Sequence, residues 1–68
     1  MAPSNSLEGR EILIEIIPLG AYVKVNAFDT ASMTEVTIQG PKTAAQSVLR
    51  NNAIRRLEYV LRKKGIIE

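Results

Sequence analysis

The last third of the chain carries a helical pattern that limits the folds open to the residues before it. Residues Thr43 to Lys64 predict a single C-terminal helix. Its first residue and Gln46 have the spacing of a capping box, in which both side chains bond backbone N–H groups at the helix start. Gly65, in a left-handed conformation, predicts a Schellman stop that brings Ile66 to Leu61. The residues before this helix must then supply the layer on which it packs.

Three shorter segments before the helix alternate in side-chain character with the period of two that is typical of strands. They are Arg10–Ile17, Ala21–Phe28 and Thr34–Gln39. Pro18 and Gly20 are expected to end the first strand, and Gly40 with Pro41 the third. The order predicts an α+β fold: a three-stranded antiparallel β-meander with one C-terminal α-helix packed on one face (β-β-β-α). Residues 1–9 are expected to form a disordered tail, and residues 10–68 a single domain.

The sheet and the helix each have one apolar face, and we expect these faces to form the core. The inward sheet residues are Ile12, Ile14, Ile16, Val23, Val25, Ala27, Val36 and Ile38. At about 100° per residue, the apolar helix residues are Leu49, Ala53, Leu57, Val60 and Leu61, with Ile54 at the edge.

One register of the first hairpin satisfies both faces of the sheet. It pairs Ile16 with Val23, Ile14 with Val25, and Ile12 with Ala27. On the other face it sets Glu15 opposite Lys24, and Ile17 opposite Tyr22. The turn is expected at Leu19-Gly20, or in a four-residue variant of the same parity, because glycine readily adopts the positive φ of tight hairpins. In the next loop, Asp29 is expected to bond its own backbone downstream.

Composition removes most kinds of catalytic chemistry. The chain has no cysteine and no histidine, which excludes disulfides, thiolate nucleophiles and imidazole acid–base catalysis, and leaves no zinc-site pattern. Asp29, Glu35 and Glu58 are catalytic candidates by residue type alone. We therefore expect no enzyme activity, no cofactor and no small-molecule substrate.

Hydropathy predicts a cytoplasmic protein without membrane contact. The apolar runs are interrupted well short of the roughly 18 residues that a membrane helix needs. Residues 1–9 also lack the apolar centre of a secretion signal.

The charges are divided unevenly along the chain. Residues 1–40 contain two basic and five acidic side chains, and residues 41–68 contain seven basic and two acidic ones. This division predicts either attraction between an acidic sheet and a basic helix or a basic binding face.

The outward face of the predicted sheet carries four large apolar or aromatic residues. These are Leu13, Ile17, Tyr22 and Phe28, among Glu11, Glu15, Glu35 and Lys24. They are expected to pack in a homodimer or on another protein, to be isolated exposed residues, or to stack on single-stranded nucleic acid. The carboxylates disfavour the last alternative. We expect a non-enzymatic protein-interaction module that forms a homodimer through this face.

The outward face of the predicted helix supports an alternative function. Arg55, Arg56, Tyr59, Arg62 and Lys63 lie close together at helical spacing. They are expected to form a solvated face, a site for an acidic protein, a nucleic-acid-binding face that contacts phosphates, or a site for an anionic membrane surface. Val48 and Tyr59 offer little to insert into a membrane, which disfavours the last alternative. Nucleic-acid binding is the alternative to the protein-interaction module.

Several segments resemble a family of short uncharacterised alphaproteobacterial proteins. They are Arg10–Ile12, Val23–Val25, Asp29, Thr34–Val36, Gly40-Pro41 and, most specifically, Ala53–Lys63, which ends in Arg-Leu-Glu-Tyr-Val-Leu-Arg-Lys. The resemblance covers nearly all of the chain after residue 9. The resemblance implies that the matching part of the chain is one folding unit. It implies no activity, cofactor or catalytic residue. The family tends to have glycine where Met33 stands, so we expect another turn type in that loop.

Overall fold

The computed structural model describes residues 7–68 and confirms the β-β-β-α architecture. The elements are β1 (Ile12–Leu19), β2 (Tyr22–Asp29), β3 (Thr34–Pro41) and α1 (Gln46–Lys63). The three strands form one antiparallel sheet in the order β1-β2-β3. Residues 1–6 of the predicted tail lie outside the described residues.

Both strands end close to their prolines, as predicted, but the prolines belong to the strands. Pro18 is the second-last residue of β1, and Pro41 is the last residue of β3. The Thr30 N–H donates to the Glu11 carbonyl at 3.2 Å, so alternation along β1 turns the backbone groups of residue 18 away from β2. On β3, the Lys42 N–H donates to the Ala21 carbonyl at 3.1 Å. Alternation therefore also turns the backbone groups of residue 41 away from β2. Each proline thus lacks only an N–H that would face an open sheet edge, where proline is tolerated.

The register of the first hairpin differs from the predicted one by two residues. Ile16 pairs with Val25, and Ile14 with Ala27. The turn is Gly20-Ala21, with Gly20 at φ 66°, as in a type II′ hairpin. Because a shift of two keeps each side chain on its own face, the predicted inward and outward sets are correct although their pairings are not.

The helix begins later than predicted, and the capping box is wrong. Ala45 is the N-cap residue and makes no side-chain capping bond. The chain first turns after β3, where the Ala44 N–H donates to the Pro41 carbonyl at 3.0 Å and Ala44 packs against the core. Thr43 is left in that turn, too early to cap the helix.

The hydrogen bonds of the predicted Schellman stop are confirmed at the other end of α1. The Ile66 N–H donates to the Leu61 carbonyl at 2.9 Å, and the Gly65 N–H to the Arg62 carbonyl at 3.0 Å. Gly65 has a φ of 76°, the left-handed conformation that this motif needs.

The core lies between the helix and two of the three strands. Helix α1 packs mainly on β2 and β3, so its apolar residues meet the inward side chains of those strands. The fully packed core consists of Val23, Val25, Ala27, Val36, Leu49, Ala53, Leu57 and Leu61. The inward isoleucines of β1 are only partly buried.

Gly40 on β3 is in close contact with the helix. A side-chain methyl of Leu49 occupies the place where a Cβ would stand on Gly40, which explains glycine at that position.

Met33 adopts a φ of 59°, the left-handed conformation that glycine favours. The lack of glycine therefore does not require a different turn type.

We expect Met33→Gly to raise the free energy of unfolding by about 0.5–1 kcal/mol, since it relieves Cβ strain and Met33 is 74% exposed. Urea denaturation would measure this gain. The control Met33→Ala keeps the Cβ, and equal stabilities of the two variants would contradict the strain argument.

Candidate functional site

The outward sheet face divides the four predicted apolar residues between its two ends. Leu13 lies opposite Phe28, whereas Ile17 lies opposite Lys24 and Tyr22 opposite Leu19. The predicted pairing of Ile17 with Tyr22 is therefore wrong. Leu13 is 51% exposed and Tyr22 is 43% exposed, while Ile17 and Phe28 are half-buried.

A polar row crosses the sheet between these two ends. The Asn26 Nδ2 donates to Glu15 Oε1 at 3.2 Å, and the Thr37 Oγ1 donates to Asn26 Oδ1 at 2.8 Å. These bonds join one side chain from each strand. The outward face consequently presents two separate apolar areas rather than one patch.

A shallow cleft lies beside this polar row, at the end of the sheet that holds Leu13 and Phe28. Its volume is about 360 Å³, and it is lined by Leu13, Ile14, Glu15, Asn26, Phe28 and Glu35. Glu15 and Glu35 come from the two outer strands, with Phe28 on the strand between them. The cleft therefore combines an apolar surface with two carboxylates. We refer to it as the outer cleft.

All five predicted residues of the helix face are exposed. The Arg56 guanidinium and the Lys63 Nζ each lie 5.6 Å from the centre of the Tyr59 ring, within range of a cation–π interaction. Lys63 Nζ also donates to the Tyr59 hydroxyl at 3.4 Å, and Arg62 Nε donates to the Glu68 carbonyl at 3.0 Å. Three of the four cations of this face thus already have partners within the chain.

Sequence reasoning missed a buried polar network at the end of the inward face. Asp29 is fully buried, and its carboxylate accepts from Arg10 Nε at 3.1 Å and from Arg10 Nη2 at 2.9 Å. It also accepts from the Ser32 N–H at 3.1 Å and from the Ser32 hydroxyl. The contact with Ser32 confirms the predicted bond from Asp29 to its own loop.

The network continues from Ser32 to the helix terminus. The hydroxyl oxygens of Ser32 and Thr34 are 2.8 Å apart, and Lys64 Nζ donates to Thr34 Oγ1 at 3.3 Å. Because the one Ser32 proton is used on Asp29, Thr34 supplies the proton between the two hydroxyls. The chain of donors therefore runs from Lys64 through Thr34 and Ser32 to Asp29.

This network links the residues before β1, the loop after β2 and the residue after the helix. The hydrogen bonds from Arg10 are the main cause that lowers the pKa of Asp29 to about 2, with Ser32 contributing. Both carboxylate oxygens are occupied by donors, so Asp29 is not available as a general base. The sequence contains one sign of this network. Strand alternation puts both Arg10 and Asp29 on the inward face, where a charged residue is rarely found without a partner.

Residues 7–68 lack two further features. This part of the chain contains no group of three or more acidic, histidine or cysteine side chains that could hold a metal ion. Its helix is not long and apolar enough to cross a membrane.

Comparison with known proteins gives a family and no function. No curated protein and no solved structure matches the chain. A family described as a domain of unknown function, DUF6898, matches residues 9–64, which include all three strands and the helix. Because this match spans most of the chain, the protein belongs to the DUF6898 family.

Proposed function

We propose that this protein is a small non-enzymatic interaction module whose outer cleft binds a segment of another protein. The segment would carry a lysine or arginine next to an apolar side chain. The observation that supports this proposal is the composition of the cleft. Leu13 and Phe28 lie opposite each other, Glu15 is next to Leu13 on the same face of β1, and Glu35 is opposite Phe28 on β3. An apolar surface with a few placed polar groups is the usual make-up of a binding site.

The hydrogen bond from Asn26 favours a defined role for Glu15. It holds one carboxylate oxygen of Glu15 at 3.2 Å from the amide nitrogen, which restrains the side chain before a ligand arrives. Restrained groups lose less conformational entropy on binding. A cationic side chain in the cleft would meet an oriented acceptor.

Charge disfavours a homodimer that packs two outward faces together. Each face carries Glu11, Glu15 and Glu35 against one lysine, so two copies would bring acidic surfaces into contact. Desolvating like charges opposes association. The outward face is better suited to a basic partner than to a second copy of itself.

The alternative function, nucleic-acid binding by the helix face, has less support. The ring of Tyr59 already interacts with Arg56 and Lys63, and base stacking needs an accessible aromatic face. Among the described residues, Arg55 is the cation of this face for which the structure shows neither a contact with the Tyr59 ring nor a hydrogen bond.

Selection of displayed random peptides would test the proposed function. We expect the enriched peptides to combine lysine or arginine with leucine, methionine or an aromatic residue. In fluorescence polarisation, Glu35→Lys should weaken the binding of an enriched peptide at least tenfold, because it replaces attraction with repulsion in the cleft. Phe28→Ala should weaken binding by removing the apolar surface.

Glu11→Lys provides the matched control. Glu11 has the same charge and lies on the same face, but it does not line the outer cleft. This variant should bind within about twofold of the native protein. Equal losses in Glu35→Lys and Glu11→Lys would indicate nonspecific charge attraction and contradict the proposal, as would enriched peptides without a cation.

A further inference from the structure

The backbone of β1 has an open edge formed by three isoleucines. The bond from the Thr30 N–H to the Glu11 carbonyl fixes which residues of the strand face β2. Alternation then turns the N–H and C=O groups of Ile12, Ile14 and Ile16 to the other side. In residues 7–68 no strand lies on that side.

The two open edges of the sheet differ in their protection. On β3 the residues whose backbone faces outward are Glu35, Thr37 and Gln39, followed by Pro41, and polar side chains and proline are the usual means of blocking an edge. On β1 the residues whose backbone faces outward are Ile12, Ile14 and Ile16, followed by Pro18. Each edge thus has a proline, but the three residues before it are polar on β3 and apolar on β1. Its inward isoleucines are only partly buried, because the helix packs mainly on β2 and β3.

We propose that a second copy of this chain pairs antiparallel with β1, on a two-fold axis at Ile14. In this register Ile14 pairs with Ile14 of the second copy, and Ile12 pairs with its Ile16. About six backbone hydrogen bonds form, because each of these residues donates one N–H and accepts at one C=O. Pro18 has no N–H and ends the pairing at one end of each strand.

The charges favour this register over its neighbours. An axis at Leu13 would set Glu15 opposite Glu11 of the second copy, and an axis at Glu15 would set the two Glu15 side chains opposite each other. Like charges directly opposite destabilise a strand pair. With the axis at Ile14, Glu15 lies opposite Leu13 and the two Glu15 side chains lie on a diagonal.

The inward side chains gain burial in the same arrangement. Pairing across the axis continues the sheet to six strands with both helices on one side. The partly buried isoleucines of the two copies then stand next to one another, which removes apolar surface from water. On the opposite side, Leu13 places the outer cleft of each copy near the axis. Leu13, Ile14 and Glu15 line the outer cleft and also lie at this interface. The dimer nevertheless does not depend on the proposed function, because its hydrogen bonds come from the backbone edge of β1.

Amide hydrogen exchange measured at several protein concentrations would test this dimer. We expect exchange at Ile12, Ile14 and Ile16 to slow at least tenfold between dilute and concentrated protein, as these N–H groups enter the strand pair. The amides of Glu35, Thr37 and Gln39 at the other edge should not change. A monomer at millimolar concentration, or a dimer with unprotected β1 amides, would overturn the proposal.

A separate measurement would determine the register of the two paired β1 strands. In a mixture of isotopically labelled and unlabelled protein, the axis at Ile14 predicts a nuclear Overhauser effect between the Leu13 and Glu15 α-protons of different copies, because such non-hydrogen-bonded pairs bring the Cα atoms to about 4.5 Å. An effect between two Leu13 α-protons would instead place the axis at Leu13 and refute the proposed register.

Two proline variants complete the test. Ile14→Pro removes an outward N–H at the axis and should weaken dimerisation at least tenfold by sedimentation equilibrium. Gln39→Pro removes an outward N–H from the β3 edge and should leave dimerisation within about twofold. Glu35→Lys should dimerise like the native protein, so failure of the dimer and failure of the outer cleft can be distinguished.

Discussion

Replacement of Leu57 by alanine is expected to lower the free energy of unfolding by about 3–4 kcal/mol. Leu57 is fully buried at the centre of the helix face that meets the sheet. Its truncation removes apolar contacts on both layers and leaves a cavity that the surrounding strands can fill only in part. A domain of this length has a total stability of roughly 3–10 kcal/mol. Leu57→Ala should therefore lose between about a third and all of that stability.

Thermal denaturation followed by circular dichroism would measure this effect. For a domain of this size, about 3 kcal/mol corresponds to a drop in Tm of about 12–24 °C. Val48→Ala is the matched control, since Val48 lies on the same helix and is 51% exposed; its stability should change by less than about 0.5 kcal/mol. Similar losses in both variants would show that the helix does not pack on the sheet as described.

Asp29→Asn is expected to lower the free energy of unfolding by about 2–3 kcal/mol. The substitution keeps the size of the side chain but removes the charge that Arg10 meets at 2.9 Å. It also replaces one acceptor oxygen by an NH₂ group, which would face donors from Arg10 or Ser32. Removing one partner of a buried charge-assisted bond leaves the other without compensation.

The same change should remove part of the pH dependence of stability. The pKa of Asp29 is lowered from 3.8 to about 2 in the folded protein, chiefly by the Arg10 hydrogen bonds. Between these values the unfolded chain binds more protons than the folded one, so stability rises with pH. The contribution is complete above about pH 4 and is lost as the pH falls toward 2.

Urea denaturation between pH 2 and pH 7 would compare the native protein with Asp29→Asn. The difference in stability should be largest at neutral pH and should shrink as Asp29 is protonated in the native protein. Glu35→Gln is the control, because Glu35 is an exposed carboxylate on the neighbouring strand. A difference that does not change with pH would mean that the Asp29 charge is not what stabilises the fold.

The alternation of the strands made much of the fold predictable. The inward isoleucines of β1 and the helix residues Leu49, Ala53, Leu57 and Leu61 are the ones that the structure buries or partly buries. These assignments succeed because local periodicity determines which face a side chain occupies. The C-terminal stop was also predictable, since Gly65 and the residues around it form a self-contained motif.

The candidate site was less predictable, because it depends on which residues meet across strands. The outer cleft requires Leu13 to oppose Phe28, and a register shifted by two residues satisfies the same alternation. The buried network joins Arg10, Asp29 and Lys64, which are far apart in the chain. Their hydrogen bonds depend on where the helix terminus meets the sheet.

The sequence by itself thus determined the order of elements, the two faces of the sheet and the buried side of the helix. These features follow from the spacing of apolar residues within each segment. Only the tertiary structure decided the hairpin register, the helix start, the route of both prolines along the sheet edges and the Asp29 network. Each of those depends on hydrogen bonds or packing between segments, for which several local patterns are equally compatible.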